Sequence, residues 1–104
     1  MTDQFSEAPF EYRGEPVLGL RQIDRMNGAA KGTAFRAFKR VRHALQEDRE
    51  FFVVDIDAPG DAKSARLMGD MKEAGALYPA SRVAVLITAE AYARMQGVAR
   101  LPAR

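Results

Sequence analysis

Apolar positions recur along this chain with two different periods, and the switches between them mark out the elements. Pro16-Val17-Leu18 is a short apolar run that predicts a strand, with Pro16 at its first position, where no ladder donor is required. Leu20, Ile23 and Met26 then recur at spacing three, predicting a short helix with Arg21, Asp24 and Arg25 facing out. Asn27-Gly28 ends it, because both residues tolerate the left-handed conformation. Ala29 to Gly32 reads as a turn, and Thr33 as the N-cap of a second helix running to Leu45. At about 100° per residue, Phe35, Phe38, Val41 and Leu45 fall within an arc of roughly 120°. Arg36, Lys39, Arg40 and His43 fall within a second arc of about 100° on the far side. The first stripe is expected in the core and the second at the surface.

Gln46 to Glu50 reads as a polar turn, and Phe51 to Ile56 as a strand of aromatic and β-branched residues. Ala58-Pro59-Gly60-Asp61 breaks that strand. Residues 62 to 74 predict a mixed-charge helix with Leu67, Met68 and Met71 inward. Tyr78 to Ser81 is a loop, Val83 to Ile87 a second strand, apolar throughout and therefore covered. Thr88 is placed to cap a final helix through Met95 or Val98. The expected organisation is a polar N-terminal arm over 1–15 with a short extended piece around Phe10 and Tyr12, a domain over 16–98 and a tail over 99–104. Short helices followed by a small antiparallel sheet and a C-terminal helix define an α+β class, winged helix-turn-helix-like. In that arrangement 57–81 would be an enlarged wing. The turn between the two helices is longer than the usual three or four residues.

Composition sharpens this picture. A chain of 104 residues supports one core, and 47% apolar against 29% charged residues is globular rather than disordered. The absence of cysteine excludes disulfides and thiolate metal sites, in keeping with a cytoplasmic location. Met1 to Glu15 has neither the basic start nor the apolar run of a signal peptide, and no apolar stretch approaches the roughly 20 residues that cross a bilayer. Net charge is only +2, but its distribution is uneven. From Gly28 to Gln46 there is no acid, while Lys31, Arg36, Lys39, Arg40 and Arg42 are basic; acids gather outside, at Glu11, Glu15, Glu47, Asp48 and Glu50. Such a molecule presents one face to a polyanion.

The candidate nucleic-acid-binding residues follow from that face. Arg36, near the helix start, is placed to reach a guanine edge. Lys31, Lys39 and Arg40 suit phosphates, and Thr33 offers a hydroxyl or backbone N–H to a phosphate at the helix N-terminus. His43 lies at the edge of the same face and suits a surface or phosphate contact. It is the single histidine, with no second ligand at metal spacing. Asp55 and Asp57 alternate on a strand end and read as a solvated face. The run Gly28 to Thr33 lacks the order and spacing of a phosphate-binding loop. No nucleophile, base and oxyanion donor assemble, so neither an enzyme nor a metal or other cofactor is expected.

The stretch from Val17 to Val54, followed by Val83-Ala84-Val85-Leu86-Ile87-Thr88 and Tyr92, resembles the phage ORF6N domain. The matching elements are Ile23-Asp24, the helix start Gly32-Thr33-Ala34 with its arginine-rich continuation, Phe51-Phe52, and Leu86 to Thr88 with Tyr92. Where that family carries asparagine along its reading helix, this chain has Ala37, Val41 and Ala44. The resemblance implies a DNA-binding regulator of phage or mobile-element origin. One short helix reads few base pairs, so a homodimer on double-stranded DNA is expected. An alternative reading is a phage-encoded accessory protein that binds and inhibits a host nucleic-acid-handling complex. Non-specific RNA or single-strand binding is disfavoured, because no exposed aromatics interleave with the basic residues.

Overall fold

Side-chain alternation along the strands sorts the apolar residues between two opposite faces of one sheet, and both faces are covered. The computed structural model describes residues 7–99, the side chains of 97–99 excepted. The order is β1 (Phe10–Tyr12), β2 (Glu15–Gly19), α1 (Leu20–Met26), α2 (Thr33–Val41), a 3-10 turn (Arg42–Ala44), β3 (Phe51–Asp55), α3 (Ala62–Glu73), β4 (Val83–Thr88) and α4 (Ala89–Ala99). The strands form one antiparallel sheet in the order β1-β2-β4-β3.

Leu18, Phe51 and Ile87 point to the face covered by α1, α2 and α4, where they meet Ile23, Phe38, Ala91 and Met95. Phe38 and Phe51 pack edge to face, with ring centroids 4.9 Å apart. Val17, Phe52, Val54 and Leu86 point to the opposite face and meet Leu67, Met68 and Met71 of α3. Burial on both faces explains why β4 reads as an uninterrupted apolar run. Gly19 is where β2 passes closest to the chain after α3: a Cβ there would lie 2.7 Å from the Ala76 carbonyl oxygen.

The expected α+β class, with its small antiparallel sheet and C-terminal helix, is what the structure has. Two finer expectations are corrected. Residues 57–81 do not project as a wing, because α3 supplies a packed layer whose Leu67, Met68 and Met71 are buried. The extended piece expected around Phe10 and Tyr12 of the arm is strand β1. Tyr12 faces Glu15 across a two-residue turn in which Arg13 (φ 53°) and Gly14 (φ 78°) are both left-handed, the geometry that suits a hairpin's twist. The second helix stops at Val41 rather than Leu45. A 3-10 turn follows, and Leu45 is extended but still buried.

Thr88 does cap α4 as expected. Its hydroxyl accepts the Ala91 N–H at 3.3 Å and donates to the Glu50 carbonyl at 2.7 Å, tying the entry of β3 to the β4–α4 junction. Among the described residues no helix is long and apolar enough to cross a membrane.

Candidate nucleic-acid interface

Helix α2 begins without a cap of its own. Gly32 occupies the N-cap position in the left-handed region (φ 91°) and has no side chain to offer, while Thr33 is already helical. The cap comes instead from α1. Asp24 accepts the Gly32 N–H at 3.1 Å on Oδ2 and the Ala34 N–H at 2.8 Å on Oδ1. The Tyr78 hydroxyl donates to the same carboxylate from across the chain. Asp24 is therefore buried, only 3% exposed, and not outward as its polarity suggests. A carboxylate at a helix N-terminus satisfies orphan amides and complements the helix dipole. Burial, and next the hydrogen bond to Asp24, push the Tyr78 hydroxyl up to about 12, which keeps it a donor.

This arrangement changes what the start of α2 can offer an anion. The N–H groups of Gly32 and Ala34 are engaged by Asp24, and that of Thr33 by the Ala30 carbonyl at 3.1 Å. A buried carboxylate also sits where a phosphate would otherwise be drawn. The backbone contribution expected of Thr33 is thus withdrawn, leaving its half-buried hydroxyl.

The expected basic residues are all accessible. Arg36, Lys39 and Arg40 are exposed on α2, Lys31 on the preceding turn, and His43 on the 3-10 turn that follows. Arg25, Arg42 and Arg94 pair with Glu7, Glu47 and Glu50, whereas Lys31, Arg36, Lys39 and Arg40 form no ion pair among the described residues. Helix α3 also carries exposed cations, but interleaves them with Asp70 and Glu73. On α2 the cations are three and four residues apart, a spacing at which like charges repel by about 0.2–0.5 kcal/mol per pair.

Phe35 was expected in the core stripe, yet it is 43% exposed. It lies at the border of that stripe, and the Lys39 ammonium stands 4.8 Å from its ring centroid. The core beneath α2 is filled by Ala34 and Phe38, with Val41 half-buried beside them. Asp55 accepts the N–H groups of Asp57 (2.9 Å) and Ala58 (3.0 Å), closing the turn after β3. No protein-family model matches the chain, and neither a curated protein nor a solved structure does.

Proposed function

We propose that this protein binds double-stranded DNA through the outer face of α2, as a regulator of phage or mobile-element type. The observation that carries the reading is the acid-free cluster of Arg36, Lys39 and Arg40, exposed on one helix and without ion pairs among the described residues. Releasing counterions from phosphates is the main source of affinity for such a face. In this reading α1, the turn and α2 act as a helix-turn-helix, in a winged-helix variant whose wing is replaced by the α3 layer. Arg36 reaches a base edge, Lys31, Lys39 and Arg40 hold phosphates, and His43 and the Thr33 hydroxyl flank them. Two copies reading adjacent half-sites supply the site length that one short helix lacks. The resemblance to the ORF6N domain supports the regulatory role.

The test is duplex binding by fluorescence anisotropy across a salt series, for the wild type and the Arg36→Ala, Lys39→Ala, Arg40→Ala triple variant. Affinity should fall in the variant, and the slope of log K against log salt should flatten by about 0.9 per lost phosphate contact. Equal affinity and slope in the two proteins would overturn the reading. Absence of duplex binding by the wild type at moderate salt, with a stoichiometric host partner on pull-down, would replace it with the accessory-protein alternative.

A further inference from the structure

Beside α2, where the covering helices leave the start of β4 bare, lies an open groove of about 300 Å³. Leu20, Phe35, Leu77 and Val83 give it apolar walls. Phe35 and Val83 are 43% and 45% exposed, the two most exposed large apolar side chains among the described residues. Arg21, Lys31 and Arg82 stand on its rim. The single carboxylate among the described lining residues is Asp24, which is buried and held by Gly32, Ala34 and Tyr78. An apolar channel with uncompensated cations at its edge fits an occupant that is apolar and acidic.

The backbone adds a second constraint. The Ile56 N–H donates to the Arg82 carbonyl and the Thr88 N–H to the Glu50 carbonyl, so even-numbered positions of β4 face β3. Val83 and Val85 therefore turn their N–H and C=O groups the other way, toward β2. But β2 ends opposite Leu86, so on that side no strand pairs with Val83 among the described residues. The groove thus exposes a short stretch of strand edge in line with β2, the feature that extended peptides use when they add to a sheet.

The aromatic rings disfavour a nucleobase as occupant. Arg21 and Lys31 stand over the Tyr78 ring at 5.5 and 5.4 Å from its centroid, and Lys39 stands over Phe35 at 4.8 Å. Each ring already has a cation against it, a contact that a stacking base would have to displace or share.

We infer that this groove is a docking site for an extended acidic segment of a partner protein, its aliphatic side chains against Phe35 and Val83 and its carboxylates against Arg21 and Arg82. It is a second site beside the DNA-binding face of α2, and it stands or falls independently of that face. The probe is a fluorescein-labelled peptide of alternating Glu and Val, with polyglutamate of equal charge and a Lys/Val counterpart as controls.

The Glu/Val peptide should bind the wild type and neither control should match it. Val83→Asp and Arg82→Glu should each weaken it at least tenfold while leaving duplex binding unchanged. The α2 triple alanine variant should keep peptide affinity within about twofold. Val83 and Arg82 are both exposed, so these variants leave the core intact. Should Val83→Asp nevertheless fail to fold, Arg82→Glu decides alone. Equal binding of polyglutamate, or indifference to Arg82→Glu, would each overturn the assignment.

Discussion

Asp24 holds the start of α2 in place, and it does so from another helix. Its two oxygens accept the Gly32 and Ala34 amides and a phenolic proton from Tyr78, 54 residues along the chain. Substituting Asp24 by Ala leaves two amides and a hydroxyl without their acceptor. One hydrogen bond to a charged group contributes about 1.5–3 kcal/mol, and water can reach the freed donors along the neighbouring groove, so the expected loss is about 3 kcal/mol rather than the sum of three. Urea denaturation should show it as a lower midpoint at unchanged slope. A loss within about 0.5 kcal/mol, the range of ordinary surface substitutions, would show that the cap contributes little. Nothing in the local pattern marks this residue. Asp24 follows a core isoleucine and precedes an exposed arginine, and its polarity suggests solvent. Its acceptor role depends on amides in the next helix and a tyrosine far along the chain, which spacing rules do not connect.

At the scale of elements, most of the fold was legible because hydrophobic period and turn chemistry agree. Helix α1 lies at Leu20–Met26 as its spacing and the Asn27-Gly28 stop predict, and β3 and β4 follow their apolar runs within a residue. The role of residues 57–81 was not legible. The inward set Leu67, Met68 and Met71 identified α3 as a helix but not the surface it would cover. That surface is the sheet face of Val17, Phe52, Val54 and Leu86, which exists only after β2, β4 and β3 have paired. A direct test follows from the geometry. The Ile56 N–H lies 3.0 Å from the Arg82 carbonyl, so a tight turn can join the two strands without α3. Replacing residues 58–81 by such a turn would spare a protein whose insert is only a wing. Here it should abolish cooperative unfolding, because stripping a helix from a core face forfeits about 25 cal/mol per Å² of apolar surface. A sharp thermal transition in the shortened protein would contradict the layer assignment.

At the scale of the whole molecule, ion pairs fasten segments on either side of α2, while the three cations clustered on α2 itself form none among the described residues. Arg25, Arg42 and Arg94 each reach a glutamate, and these contacts join segments distant in sequence or adjoining a turn. Arg36, Lys39 and Arg40 have no such partner among the described residues and crowd one another. A solvated surface under no other demand would interleave acids there. Substituting Arg36 by Glu creates that missing pattern, with a carboxylate three residues before Lys39 and four before Arg40. The acid would also lie nearer the helix N-terminus, the favourable order for such pairs. The free protein should gain about 0.5 kcal/mol at low salt, seen as a higher thermal midpoint, and lose the gain near 1 M salt as exposed pairs are screened. Duplex affinity should fall in the same variant, since one cation is lost and an anion now faces the phosphates. Stability and binding moving in opposite directions is the signature of a helix whose charge serves a partner. A variant that is stabilised yet binds duplex as well as the wild type would place the DNA surface elsewhere on the molecule.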